Sequence, residues 1–360
     1  MFVGHALLAF ALATLVADWR GWSARQALTL GLVAGAFAAI PDMDMIYTVV
    51  ALDVGRLSAD TLRQPSVFWD ASRAVHRSIT HSLLISLAAG PAFGAWAAGT
   101  STSRGWLVVR AVASAILLSL VWAAWVYSGL AGTIVVGTFV AAGLVIARLA
   151  RTRPDLSGLT IACVATIGLL SHPWGDLVTG DPPQLFYPLD MQLVEQTVLL
   201  HTDPTVHLLG AFALELAVVW LAAFAVARVA GRPLTALFER RAAIGVAYGV
   251  AAIVLTPPTL EVSYHFVFTI LGLGVAVGAV SVAPNSISRL VSVQSRLRRY
   301  RSFTRRDAES LGRPWLTSPS VDLDRLLERY PSPFEAAFAA LGGVTVALCS
   351  YAVVYLLVVG

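Results

Sequence analysis

Long apolar stretches alternate with short polar connections along the whole chain. A helix needs about 20 mainly apolar residues to cross a bilayer, and about ten stretches approach that length. The pattern therefore predicts an all-α fold, a polytopic transmembrane helical bundle of about ten spans. The predicted spans are residues 2–17, 28–48, 79–98, 107–127, 130–149, 157–172, 206–227, 242–258, 264–283 and 336–358.

Two longer polar segments interrupt this alternation. Residues 173–205 are rich in Pro and Asp, and residues 284–335 are rich in Arg. Since a bundle of membrane helices folds as one unit, we predict one transmembrane domain over residues 1–283. We predict that residues 284–335 form a cytoplasmic insert and that residues 336–360 form a C-terminal transmembrane helix.

The composition excludes a soluble globular domain. Hydrophobic residues make up 57% of the chain and charged residues only 13%, whereas a soluble domain has roughly 25% charged residues. Each of the 25 basic residues is an arginine. Cys163 and Cys349 lie inside apolar stretches, so we predict that both are small buried hydrophobic residues rather than disulfide partners.

The arginines predict the orientation in the membrane. If the spans alternate, only Arg56, Arg63, Arg73 and Arg77 lie on the side of the N-terminus. Positive charge is retained in the cytoplasm, which predicts a multi-pass plasma (inner) membrane protein with both termini outside. The lipid bilayer is then one partner, and the Arg-rich insert is expected to bind anionic headgroups. No fold signature for nucleic acid accompanies these arginines, so no nucleic-acid partner is expected.

The same alternation brings all seven histidines to the outward side, with His265 at the start of the ninth predicted span. Two of them belong to the heptad His76-Arg77-Ser78-Ile79-Thr80-His81-Ser82, which opens an apolar stretch. Pro41-Asp42-Met43-Asp44 ends another stretch, and its two carboxylates repel each other near membrane depth unless a cation neutralises them. The candidate metal ligands on this side are His5, Asp42, Asp44, His76, His81, His172 and Asp176.

His and Asp side chains are the ligands of Zn²⁺ and related divalent ions, so we predict a divalent metal, with Zn²⁺ favoured and Mn²⁺ or Mg²⁺ as alternatives. Seven candidates exceed one tetrahedral site. They suit two metals, or one metal with further residues around its ligands. The predicted catalytic residues are Asp44 and Arg77, whose planar guanidinium would bind an anionic substrate group. The hydroxyls of Ser78, Thr80 and Ser82 are predicted to cap a helix or contact the ligands rather than to act as nucleophiles.

These motifs resemble a known family. His5, Pro41-Asp42-x-Asp44, His76-Arg77-x-x-Thr80-His81-Ser82 and Ser171-His172-x-x-x-Asp176, followed by Thr179-x-x-x-Pro183 and Phe186-Tyr187-Pro188, are similar to the membrane-bound, metal-dependent hydrolases of the YdjM type. The resemblance covers roughly residues 1–190. It implies a LexA-regulated type of inner-membrane protein with metal-dependent hydrolase activity, and it implies no defined substrate.

A weaker likeness concerns the order of the ligands alone. An N-terminal His, then Asp, then His, then an HxxxD pair is also the order in the zinc phospholipase C and P1-nuclease group, which cleaves phosphoesters. We therefore expect a hydrolase acting on a phosphoester or ester of a small molecule or lipid, with the metal site at the extracytoplasmic membrane face. A metal-binding transporter and a non-catalytic membrane protein with a structural metal remain the alternatives.

Overall fold

The computed structural model describes residues 2–45, 77, 79–98, 104–232, 239–280 and 333–358. The predicted ligand His76, the hydroxyl residue Ser78 and nearly all of the predicted insert 284–335 lie outside these residues. The chain forms two compact units. One comprises residues 1–233 and 257–264, and the other comprises residues 234–256 and 265–360.

All regular secondary structure in the described part of the first unit is helical, and residues 179–203 form an irregular connection. The helices of this unit are α1 (Phe2–Trp19), α2 (Ala24–Ala39), α3 (Leu83–Ala97), α4 (Arg104–Arg151), α5 (Gly158–Ser171) and α6 (Pro204–Val229). Short 3₁₀ segments, Ile40–Met45 and His172–Val178, continue α2 and α5. These two continuations carry the PDxD and HxxxD motifs.

Side-chain caps explain where several helices begin. Ser23, Ser157 and Asp203 each accept a hydrogen bond from a backbone N–H of the first turn of α2, α5 and α6. Ser82 does the same for α3 and also donates to the carbonyl oxygen of Tyr187 at 2.8 Å. Such caps satisfy backbone donors that a helix leaves unpaired. The cap prediction for Ser82 is confirmed.

Helix α4 has two arms. A straight helix of 48 residues would be about 72 Å long, more than twice the hydrocarbon thickness of roughly 30 Å. Gly129 interrupts it with φ 61° and ψ −150°, a conformation open to glycine because it lacks a Cβ. The break falls where the sequence divides residues 107–149 into two predicted spans.

A close antiparallel crossing of α3 and α5 brings two sequence motifs together. A Cβ added to Gly90 would meet Thr166, and one added to Gly94 would meet Ala162, so the helices approach at small residues, as membrane helices commonly do. Each step of four residues along α3 corresponds to four residues back along α5. The N-terminal end of α3, which follows His81, therefore lies beside the C-terminal end of α5.

Helix α2 packs against α1 in the same antiparallel manner. Gly31 faces Thr14 and Phe10, while Gly35 faces Ala6 and Phe10. Proceeding along α2 thus means returning toward the N-terminus of α1, which brings the PDxD segment to the end of α1 that carries His5. Helix α5 closes the group, because a Cβ on its Gly168 would lie 2.7 Å from the carbonyl oxygen of Ala34 in α2.

The second unit is also helical where it is described. A 3₁₀ segment, Arg240–Val250, continues into the short helix α7 (Ala251–Val254). Helix α8 covers Tyr264–Val280 and α9 covers Pro333–Val358. Tyr351 of α9 packs edge to face on Phe266 of α8 with ring centroids 5.0 Å apart, the favoured geometry for an aromatic pair.

Five described helical segments are long and apolar enough to cross a membrane. They are Ala24–Met45, Arg104–Arg151, Gly158–Val178, Pro204–Val229 and Phe334–Val358. Three shorter helices, Val3–Trp19, Leu83–Ala97 and Tyr264–Val280, are also apolar. The all-α prediction holds throughout the described residues, whereas the number of about ten spans stays a prediction. Both Cys163 and Cys349 are exposed, so the prediction that they are buried is wrong.

Candidate metal centre

Four helix ends of the first unit contribute the candidate ligands. His5 lies in the first turns of α1, Asp42 in the 3₁₀ continuation of α2, and His81 just before α3. His172 and Asp176 lie in the 3₁₀ continuation of α5. The antiparallel crossings described above are what bring these ends together.

Two imidazole nitrogens and two carboxylates converge at the centre of the site. Nε2 of His81 lies 3.0 Å from Nε2 of His172. Oδ1 of Asp42 is 3.4 Å from Nε2 of His172 and 3.8 Å from Nε2 of His81. Oδ2 of Asp176 is 3.2 Å from Nε2 of His81 and 3.9 Å from Nε2 of His172. All these atoms point into one small volume.

A backbone contact determines which nitrogen of His172 is available. Nδ1 of His172 lies 2.6 Å from the carbonyl oxygen of Ala38, and a carbonyl oxygen can only accept a hydrogen bond. Nδ1 therefore carries the proton, and the lone pair of the neutral ring is on Nε2. A histidine that donates to a backbone carbonyl through one nitrogen and presents the other is typical of metal ligands.

His81 has a carboxylate behind it. Oδ2 of Asp44 lies 3.5 Å from Nδ1 of His81, and Oγ1 of Thr80 lies closer to the same nitrogen, at 3.1 Å. Asp44 also accepts hydrogen bonds from the backbone N–H of Arg77 at 3.1 Å and from Oγ1 of Thr80 at 3.4 Å. The structure thus places Asp44 beside His81 rather than among the converging Nε2 and carboxylate atoms.

His5 borders the site from α1. Its Nε2 lies 3.3 Å from Oδ1 of Asp176, and its ring is 4.2 Å from the ring of His172, measured between centroids. Gly175 permits this approach, since a Cβ there would lie 2.6 Å from Cε1 of His5. Two overlapping groups result that would hold a metal ion. They are His5, Asp42 and His172, and His81, His172 and Asp176.

The donor set fits a divalent cation. His5, His81, His172, Asp44 and Asp176 are each at most 5% exposed, and buried carboxylates this close together require a compensating positive charge. Oδ2 of Asp42 and Oδ2 of Asp176 are buried without a hydrogen-bond partner in the described part of the chain. Imidazole and carboxylate together suit Zn²⁺, whereas Mg²⁺ prefers a shell of oxygen atoms.

The guanidinium of Arg77 contacts protein groups. Nη1 donates to the carbonyl oxygen of Asp181 at 3.0 Å, and Nη2 donates to Oγ1 of Thr179 at 3.2 Å. Nη2 also lies 3.3 Å from Oδ1 of Asp176. The role of Arg77 in binding an anionic substrate group stays a prediction.

Other polar residues on the same predicted side of the membrane form hydrogen bonds with backbone N–H groups. Asp203 caps α6 and accepts from the N–H of Val206 at 2.8 Å. Nδ1 of His207 accepts from the N–H of Leu200, and Nδ1 of His201 from the N–H of Asp203. Sequence reasoning did not find Ala38 and Gly175, because a backbone carbonyl and a missing Cβ leave no chemical signature in a sequence.

These features define a helical membrane protein in which helix ends assemble a buried cluster of His and Asp side chains. The chain belongs to the YdjM inner membrane protein family, whose family model matches residues 1–255. The match confirms the resemblance seen in the sequence and extends it beyond residue 190. Comparisons with curated proteins and with solved structures gave no significant match.

Proposed function

We propose that this protein is a metal-dependent hydrolase of the inner membrane whose metal centre is formed by Asp42, His81, His172 and Asp176. The observation that carries the proposal is the convergence of two Nε2 atoms and two carboxylate oxygens at separations from 3.0 to 3.9 Å. Nothing in helix packing requires four such groups in one buried place. A cation that holds them together explains the arrangement.

The residues of the chain would bind and orient the reacting groups. A divalent cation bound there supplies the polarisation of a phosphoryl or carbonyl oxygen and acidifies water, which hydrolysis of a phosphoester or ester requires. His172 is fixed by Ala38 and His81 is oriented by Asp44. Oδ2 of Asp42, which lacks a hydrogen-bond partner in the described structure, would be the group that accepts a proton from water.

We place the centre at the extracytoplasmic end of the helices, at the depth of the lipid headgroups. Two observations support this proposal. The ligands lie at the ends of α1, α2, α3 and α5 rather than at their middles, and few arginines fall on the predicted outward side of the membrane, as the retention of positive charge in the cytoplasm leads one to expect. A centre at this depth would be accessible to a phosphoester or ester that is part of a lipid or that reaches the membrane surface, and we propose this as the substrate class.

The test is a hydrolysis screen with the detergent-solubilised full chain loaded with Zn²⁺. The screen uses chromogenic phosphomonoesters, phosphodiesters and carboxylic esters, followed by phospholipids in mixed micelles. We expect turnover with at least one ester class and loss of that turnover in His81→Ala. His201→Ala is the matched control, because His201 is exposed and belongs to neither group of candidate ligands.

Two outcomes would contradict the proposal. Turnover that persists in His81→Ala at the wild-type rate would mean that the activity arises elsewhere. Stoichiometric metal without turnover of any ester class would favour the two alternatives that the sequence left open, a metal-binding transporter and a protein with a structural metal.

A further inference from the structure

Arg77 connects residues 177–184, the segment that follows α5, to the candidate metal centre through hydrogen bonds. Its Nη1 donates to the carbonyl oxygens of Asp181 at 3.0 Å and Asp176 at 3.4 Å, and its Nη2 donates to Oγ1 of Thr179. We propose that Arg77 is a positioning residue that holds the Asp176 carboxylate in its metal-facing orientation. This inference rests on the proposed metal centre and assigns Arg77 a role different from that of a substrate contact.

The two oxygens of Asp176 have different surroundings. Oδ1 lies 3.3 Å from Nη2 of Arg77 and 3.3 Å from Nε2 of His5. Oδ2 lies 3.2 Å from Nε2 of His81 and has no hydrogen-bond partner in the described chain. Because Arg77 and His5 hold one oxygen, the other is directed at the ring nitrogens. A carboxylate held in this way presents a single oxygen to a cation.

The backbone of Arg77 also forms hydrogen bonds with groups around the candidate metal centre. Its φ of 63° places it in the left-handed region, which is uncommon for a residue with a side chain. In this conformation its N–H donates to Oδ2 of Asp44 at 3.1 Å and its carbonyl accepts from the N–H of Gln184 at 2.9 Å. One residue thus joins Asp44, which orients His81, to Asp176 and to the segment beyond it.

Gly180 offers a second way to disturb the same contact. Its φ is 151°, and a Cβ added there would lie 2.8 Å from Nη1 of Arg77. An alanine at position 180 would therefore displace the guanidinium without removing its charge, and it would also strain the backbone, because this φ suits glycine. The Arg77 side chain is only 12% exposed, so most of it faces protein rather than dissolved anions.

The experiment measures the Zn²⁺ affinity of the full chain in detergent by competition with a chelator. We expect Arg77→Gln and Gly180→Ala to bind Zn²⁺ roughly 10–100-fold more weakly, the usual loss when a residue supporting a metal ligand is removed. Arg77→Lys should recover part of the affinity, because Lys keeps the charge but lacks the planar fork. Arg228→Gln, which removes an ion pair with Asp18 on the exposed surface, should leave the affinity unchanged.

A titration with inorganic phosphate separates positioning from substrate contact. Unchanged Zn²⁺ affinity in Arg77→Gln, together with weaker phosphate binding, would overturn the inference and make Arg77 an anion contact. If Arg77→Gln does not fold, the comparison of Gly180→Ala with wild type decides the same question, and unchanged Zn²⁺ affinity in that variant overturns the positioning role.

Hydrogen exchange separates this inference from the proposed function. Exchange of the backbone N–H groups of residues 177–181 and 184 should be faster in Arg77→Gln than in wild type, with or without Zn²⁺. If wild type binds no Zn²⁺, the proposed function fails, while faster exchange in Arg77→Gln still shows that Arg77 holds this segment in place. Unchanged exchange in Arg77→Gln would overturn the inference.

Discussion

The two aspartates of the PDxD motif should contribute unequally to metal binding, although they are two residues apart. Oδ1 of Asp42 lies 3.4 Å from Nε2 of His172, at the point of convergence. Oδ2 of Asp44 instead lies 3.5 Å from Nδ1 of His81, behind the ring. Asp42→Asn removes a charge from the centre itself, whereas Asp44→Asn removes a group that orients one ligand.

The expected magnitudes follow from these positions. Removing a carboxylate that supports a metal-bound histidine lowers affinity by roughly 10–100-fold, or about 1.4–2.8 kcal/mol. Removing one partner of a buried charge pair costs about 3–5 kcal/mol, which corresponds to a loss on the order of 100-fold or more. Asp42→Asn should therefore weaken Zn²⁺ binding more than Asp44→Asn does.

The assay is chelator competition with Zn²⁺ in detergent, supported by thermal unfolding to confirm that both variants are folded. Asp190→Asn is the matched control, since it makes the same chemical change at an exposed position and should bind Zn²⁺ like wild type. Equal losses for the two variants, or a larger loss for Asp44→Asn, would refute the assignment of Asp42 to the centre and Asp44 to the support of His81.

Three further outcomes are expected. Gly94→Leu should destabilise the protein by about 1–3 kcal/mol through overpacking and weaken Zn²⁺ binding, because its side chain would meet Ala162 of α5. Thermal unfolding measures the loss of stability. The control Gly137→Leu should have little effect, because nothing lies within 4 Å of a Cβ added at Gly137. Removing bound metal with a chelator should lower Tm, since a ligand that binds only the folded chain stabilises it, and an unchanged Tm would argue against a bound metal. A reporter fused after Gly360 should read as extracytoplasmic, and a cytoplasmic reading would contradict the predicted orientation.

Hydrophobic patterning and ligand chemistry were sufficient to predict an all-helical chain with apolar spans and most of the residues that the structure brings together in the candidate site. His5, Asp42, His81, His172 and Asp176 could be found from sequence because polar ligands are costly at the ends of apolar helices. The alternation of predicted spans placed them on one side, and the structure brings them together within one unit.

Residues that act through the backbone or through shape could not be found in this way. Ala38 orients His172 with a carbonyl oxygen, and Gly90 contributes by lacking a side chain. Arg77 was visible as a charge, yet its contacts with Thr179 and Asp181 and its left-handed backbone became apparent only in the folded chain. The sequence also could not show which face of each helix is buried, because buried and lipid-facing faces are both apolar. Cys163 was therefore predicted to be buried, whereas it is exposed.

The most direct test of the central claim is the metal content of the purified full chain, determined by elemental analysis for wild type, His172→Ala and His201→Ala. Wild type and His201→Ala should contain near-stoichiometric divalent metal, and His172→Ala should lose most of it, because His172 is common to both groups of candidate ligands. Wild-type protein without metal after loading, or His172→Ala with the wild-type amount, would contradict the assignment of this cluster as a metal centre.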